Sequence, residues 1–278
     1  MEFGILGPFE VRDGPERLAV GGMRQQLVLA TLLLSANRVV TAGRLQEAVY
    51  GVDPPPTARS QIQIAVSSLR RLFAPHGDAV QIRTEGPGYV LQLGDGQLDA
   101  RRFTELSAAA QAAAGDGRTA EAVAGFRDAE RLWRGPALEG LDSSLVEAAA
   151  AVLDEQRVTV AEERLALELD LGRHREVVGE LSGLVRDYPL RERLRAQLIL
   201  ALYRSDRTAE ALSVYQQARR TMLEELAVEP GQALRRLYAA VLAHDPAIDP
   251  PRQSCSTGPG QRRQSWSPRC CRAPVRRR

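Results

Sequence analysis

The 278-residue chain contains no lysine, so all 37 of its basic side chains are arginine. A phosphate loop built around a Lys and a Schiff-base centre both need that amine, so both are excluded, and ATPase chemistry with them. The missing Lys, beside abundant Ala, points to GC-rich coding DNA and says nothing of fold. Cysteine is scarce and oddly placed. Cys255, Cys270 and Cys271 all lie in the last segment, so residues 1–249 can hold neither a disulfide framework nor a thiolate metal site. Apolar runs are short. The longest, residues 27–34 with Thr31 inside, falls far below the roughly 20 residues of a membrane span. No charged region precedes an apolar run at the N-terminus, so no signal peptide is visible and the cytoplasm is the expected compartment.

A net charge of +2 hides three different segments. Residues 1–98 carry nine Arg against nine acids. Residues 99–249 carry twenty Arg against twenty-six acids, a net of −6. Residues 250–278 carry eight Arg and no acid. With 44% hydrophobic residues the chain can build real cores, and its length suits one large or two ordinary domains.

In the first segment, residues 3–12 read as two short strands broken at Gly7-Pro8, and residues 17–20 as a third. Residues 23–35 are apolar on almost every side and predict a buried central helix. Val39-Val40 is too short for an independent strand. Thr41 is placed to cap a helix through Tyr50, with Leu45, Ala48 and Val49 inward. Pro54-Pro55-Pro56 forbids helix, and Thr57 can cap the next one.

That helix, Ala58 to Phe73, carries an apolar stripe of Ile62, Val66, Leu69 and Phe73 at i, i+4, i+7, i+11. Ser60, Ile64, Ser67 and Arg71 point the opposite way, flanked by Gln61, Gln63, Ser68 and Arg70. Gln reads adenine edges, Ser reads several bases, and an exposed aliphatic group packs on a thymine methyl. An ordinary solvated face has the same composition and, for the helix alone, is the preferred reading. Context changes that. Residues 80–84 and 89–93 alternate around Glu85-Gly86-Pro87-Gly88 as a β-hairpin. Strands, three helices and then a hairpin is the order of a winged helix, in which the last helix enters the major groove and the hairpin lies on the backbone.

From residue 99 the chain reads as helical, with helices over 101–114, 118–133, 144–171, 173–188, 190–204, 207–225 and, opened by Pro230-Gly231, up to about 243. Ser143 or Ser144 caps the third. Three turn-helix starts resemble one another, at Gly117-Arg118-Thr119-Ala120, Gly172-Arg173-His174-Arg175 and Asp206-Arg207-Thr208-Ala209. The last two stand 34 residues apart, the tetratricopeptide period, and the first two 55 apart, so the array is irregular. Such hairpins stack into a superhelix with a groove. A plain helical bundle remains the alternative on period alone.

Little here suggests chemistry. His76, His174 and His244 lie far apart without metal-ligand spacing, which favours surface or capping roles. The pairs Asp154-Glu155 and Glu162-Glu163 read as solvated charge on an acidic helix. Trp133, ahead of Gly135-Pro136, reads as a core anchor. The expectation is no enzyme, no metal and no cofactor.

Two sets of motifs carry a resemblance. The first runs from Arg24-Gln25-Gln26-Leu27 through Arg38-Val39-Val40, Pro54-Pro55-Pro56-Thr57-Ala58-Arg59 and Val66-Ser67-Ser68-Leu69-Arg70-Arg71 to Gly86-Pro87-Gly88-Tyr89. It resembles the DNA-binding domain of the Streptomyces antibiotic regulatory protein family. The second includes Leu132-Trp133-Arg134-Gly135-Pro136, Tyr188-Pro189-Leu190-Arg191 and Leu223-Glu224-Glu225-Leu226-Ala227-Val228-Glu229-Pro230-Gly231. It is similar to the bacterial transcriptional activation domain that follows in the same family. Together they cover roughly residues 3–244. The resemblance implies a mainly α chain with a small β component. A winged helix over 1–98 would be followed by an all-α tetratricopeptide-like domain over 99–248; composition, and not the resemblance, makes 249–278 a disordered basic tail, with a frame shift as an alternative origin.

It also implies a site. Helix 58–73 would read bases through Ser60, Gln61, Gln63, Ile64, Ser67 and Ser68, with Arg59, Arg70, Arg71 and Arg83 near phosphates and Thr84 beginning the wing. Partners would be double-stranded DNA with direct repeats about 10–11 bp apart, RNA polymerase holoenzyme and a second copy of the chain, with no membrane. The function implied is activation of secondary-metabolite genes. Three departures weaken positive charge or hydrogen bonding near DNA: Ala65 stands where the family usually has His, Ser68 where it has Arg, and Glu85 where it has a basic residue. Affinity rests largely on phosphate neutralisation, so a single copy should bind weakly. These departures also support a rival reading, a helical-repeat adaptor with a weakened DNA-binding domain.

The tail, residues 250–278, lacks the aliphatic residues to build a core. It reads as a basic arm adding nonspecific DNA affinity, as a solubilising end, or as a reading-frame slip. Pro251-Arg252-Gln253 resembles the linker to an ATPase domain in larger family members, so a truncated large member is a further expectation.

Overall fold

A computed structural model describes residues 1–250, without the side chains of residues 77–79. The expectations for the basic tail fall on residues 251–278 and lie outside the described residues.

The first sheet is an antiparallel meander of β1 (Glu2–Gly4), β2 (Glu10–Asp13) and β3 (Glu16–Leu18), broken at Gly7-Pro8 as the sequence predicts. Phe3 opposes Val11, which opposes Leu18, so one face of the meander turns to the core. Helix α1 (Met23–Leu34) has seven successive buried residues from Leu27 to Leu33, which makes it the central helix of this half. Its one buried hydroxyl, on Thr31, donates to the Leu27 carbonyl at 2.7 Å. Helix α2 (Ala42–Tyr50) is capped as expected, the Arg44 amide donating to Thr41 Oγ1. Helix α3 spans Ala58–Phe73, and its stripe of Ile62, Val66, Leu69 and Phe73 is buried.

Strands β5 (Val80–Glu85) and β6 (Gly88–Leu93) form the hairpin. The segment too short for an independent strand pairs all the same. Val40–Thr41 forms β4 along β6, giving the order β4-β6-β5. Two residues suffice because the hairpin supplies a ready edge, and Gly88 lets it approach: a Cβ there would overlap the Val40 carbonyl.

Helices α4 (Asp99–Gly115), α5 (Thr119–Glu130), α6 (Ser144–Asp170), α7 (His174–Asp187), α8 (Glu192–Arg204), α9 (Thr208–Leu226) and α10 (Gln232–Ala243) follow. The three similar turn-helix starts are one structure used three times. Gly117, Gly172 and Asp206 all have positive φ (77°, 78° and 63°). In each, the next amide bonds back five residues: Arg118 to Ala113, Arg173 to Glu168, Arg207 to Leu202. This is the Schellman closure, which satisfies carbonyls at a helix end. Helix α5 stops three residues before the expected Trp133. Trp133 is buried and meets Phe103 edge-on at 5.5 Å, with Arg157 over its ring.

The acid pairs on α6 are not simply solvated. Asp154 accepts from the Ala137 amide, and Glu162 is 5% exposed with Arg191 at 3.1 Å. Burial raises the Glu162 carboxyl pKa, opposed by the nearby Arg193 charge and assisted by Glu163. Arg164, also buried, pairs with Glu130 at 2.7 Å and with Glu180. Helix α6 therefore runs through the centre of the helical half, and the charges on its covered side are paired with neighbouring helices.

Secondary structure changes character at Leu98–Asp99, but the cores cross that line. Leu138, Leu141 and Val146 pack in the core built around α1 and α3. In return, Leu6 packs with Phe103, Phe126 and Trp133 in the helical half. Backbone bonds lace the two together, Arg134 N to Leu6 O and Leu138 N to Ile5 O, both at 2.8 Å. The Asp99 carboxylate accepts from the Ile5 and Leu6 amides at 2.9 and 3.0 Å and from Arg134 at 3.1 Å. Arg134 also reaches Glu10 at 2.6 Å, across Gly4, where a Cβ would collide with its guanidinium.

Candidate nucleic-acid interface

Helix α3 is held by its apolar stripe against α1 and α2, which leaves the other side to solvent. Thr57 precedes it in helical conformation and makes no side-chain cap, contrary to expectation; instead the Ser60 hydroxyl donates to the Thr57 carbonyl at 2.7 Å. Arg59, Ser60, Gln63, Ile64, Ser67, Arg70 and Arg71 are exposed, and Gln61 and Ser68 are half-buried. Ile64, 57% exposed, is a large apolar group left on an otherwise polar face. Arg83 and Thr84 are exposed on β5 beside that face.

The arginines differ in freedom. Among the described residues Arg59 and Arg71 have no ion pair or hydrogen-bonded side chain, and they lie near opposite ends of α3. Arg70 is committed. Its Nε donates to the Ile82 carbonyl and its Nη2 to Thr84 Oγ1, both at 2.8 Å, and it lies over the Tyr89 ring. It ties the helix to the hairpin. Arg83 donates to Gln81 Oε1 at 3.1 Å.

Ala65 is 2% exposed, belongs to the core cluster and also lines the groove between α1 and α3, to which it offers only a methyl group. Glu85, by contrast, is exposed at the hairpin end and puts a negative charge there. One residue that sequence reasoning missed is Arg24. It lies in the first turn of α1 and donates to Gln61 Oε1 at 2.7 Å, while its guanidinium lies 5.7 Å from the Tyr50 ring centroid. Its sequence signal is its place at the head of the motif Arg24-Gln25-Gln26-Leu27, but nothing local pairs it with Gln61. Gly22, Met23, Arg24, Gln25, Gln61 and Ile64 line a groove between α1 and α3.

Residues 21–91 match the family described as "Transcriptional regulatory protein, C terminal", and residues 98–242 match the "Bacterial transcriptional activator domain". The regulatory protein DnrI of Streptomyces peucetius is 34% identical over 90% of this chain and 94% of its own length. The chain belongs to the Streptomyces antibiotic regulatory protein family.

The regulatory protein AfsR of Streptomyces coelicolor is 41% identical, but this family member spans only 25% of its length. Among solved structures, Mycobacterium tuberculosis EmbR in complex with a low-affinity phosphopeptide superposes with a TM-score of 0.84 at 35% identity, covering 88% of this chain and 65% of that one. The expected fold, mainly α with small antiparallel sheets first and a helical domain after, is the observed one. The relatives are transcriptional regulators, a class that is generally non-enzymatic. Among the described residues no helix is long and apolar enough to cross a membrane.

Proposed function

We propose that this chain is a cytoplasmic, sequence-specific DNA-binding activator of secondary-metabolite genes. Residues 1–98 act as the reader and residues 99–248 as the activation domain, with no cofactor required. Helix α3 enters the major groove and reads bases through Ser60, Gln61, Gln63, Ile64, Ser67 and Ser68. Arg59, Arg71 and Arg83 meet phosphates on either side, while Arg70 and Thr84 set the hairpin against the helix. Two protomers occupy direct repeats about 10–11 bp apart, and the helical half holds them together and contacts RNA polymerase holoenzyme. The observation that carries this reading is the face of α3. Its exposed hydrogen-bonding groups and one bare Ile sit between two unpaired arginines and beside a hairpin.

Glu85 and the net-zero charge of residues 1–98 favour a second reading, a protein-binding adaptor whose winged helix no longer binds DNA. A gel-shift assay on direct repeats upstream of neighbouring genes, with and without polymerase, separates the two. Arg71→Ala should weaken the shift well beyond Arg207→Ala, because Arg207 is spent on Glu210 far along the chain. Equal effects would put DNA on another surface, and no shift at low salt would leave the adaptor. The slope of log K against log salt should be shallow, about −2 to −4 per protomer, since few phosphates are neutralised.

A further inference from the structure

Gln61 is presented with one end already engaged. The oxygen of its amide accepts from Arg24 Nη1 at 2.7 Å, and the Tyr50 ring supports that guanidinium from behind. Arginine has only donors, so the amide oxygen is the atom that must face it. Among the described residues the Gln61 amide nitrogen has no hydrogen-bond partner, and Gln61 stands on the same open side of the groove as Ile64. Among the described residues the Gln63 side chain makes no hydrogen bond, either to Arg59 one turn earlier or to any other group.

A free glutamine recognises adenine in a two-point fashion, accepting from N6 and donating to N7. In Gln61 the accepting end is occupied. A second lone pair remains on Oε1, but the guanidinium charge beside it disfavours the partly positive amino group of adenine. What is left is an NH2 group with donors only. Guanine offers it two adjacent acceptors, N7 and O6; adenine offers one acceptor next to a donor; cytosine offers a donor. We propose that Arg24 is a positioning residue that turns Gln61 from an adenine reader into a donor-only reader that selects guanine. Gln63 keeps both ends and remains suited to adenine. The inference rests on the reading of α3 as the base-reading helix.

The test is selection of random duplexes by the full chain, followed by sequencing, for the wild type and for Gln61→Ala, Arg24→Met and Arg24→Lys. Arg24 is exposed and Gln61 half-buried at the surface, so the variants should keep the fold, which circular dichroism checks. The expected wild-type motif has one position with guanine over adenine, and Gln61→Ala flattens that position alone. Arg24→Met frees the amide and moves the same position toward adenine, by about fivefold or more in the guanine-to-adenine ratio. Arg24→Lys, which still donates to Oε1, keeps guanine. If Arg24→Met weakens all sequences equally and leaves the motif unchanged, Arg24 is a phosphate contact only and the proposal falls. It also falls if Gln61→Ala alters no position. If the wild type enriches no motif at all, the reading of α3 fails and this inference with it.

Discussion

Asp99 is the residue whose loss should cost most for its size. Its carboxylate takes the Ile5 and Leu6 amides and the Arg134 guanidinium, and it is only 13% exposed. Ile5 and Leu6 are buried, so after Asp99→Ala neither amide can turn to water. An orphaned buried donor costs about 1–3 kcal/mol, and two of them about 2–6 kcal/mol in sum. Arg134 adds little, because Glu10 and the Pro8 carbonyl still hold it. Asp99→Asn keeps one accepting oxygen and should lose about half as much. The assay is urea unfolding of the full chain followed by far-UV circular dichroism, with a thermal scan beside it. The expected fall in Tm is about 4–24 °C for the alanine variant. Glu105→Ala, which removes one exposed ion pair from the same helix, is the control and should change stability by less than about 1 kcal/mol. If Asp99→Ala is no worse than this control, the carboxylate is not carrying those amides and the reasoning about the junction is wrong.

Other outcomes follow from features of the helical half. Gly172→Ala forces a Cβ into positive φ and should cost about 1–2 kcal/mol in the same unfolding assay; no loss would mean that the turn relaxes out of the Schellman closure. Burial raises the Glu162 pKa from its ordinary 4.5, so the folded chain keeps that proton to higher pH than the unfolded chain does. The stability it contributes is complete below the ordinary value and is lost as pH rises through the raised one. Glu162→Gln cannot ionise, so the stability of the variant minus that of the wild type should grow as pH rises above the ordinary 4.5. A difference constant with pH would refute the shift.

Much of the fold was legible because it is written in short-range patterns. The stripe from Ile62 to Phe73 gave α3 its bounds, and the repeated Gly-Arg and Asp-Arg turns marked where α5, α7 and α9 begin. What escaped is what depends on distant segments meeting. The burial of Glu162 is invisible in an acid-rich stretch until Arg191, the residue just before α8, meets it. Helical spacing puts Arg70 on the rim of the outward face, yet its donors go to Ile82 and Thr84, which only the folded hairpin brings near. Arg24 and Gln61 are 37 positions apart, and their meeting depends on how α1 crosses α3. Ala65 belongs to the core and at the same time lines the α1–α3 groove, a double placement that only the packing of the two helices creates.

The exchange of Leu6 for Leu138, Leu141 and Val146 between the two cores has a mechanical consequence. The halves are not beads on a string: each completes the other's interior. Turning the helical half against α3 would therefore have to bare both interiors to water, at about 25 cal/mol for each Å² of apolar surface exposed. If α3 lies in a DNA groove as proposed, its aim is set in part by surfaces well beyond its own reach.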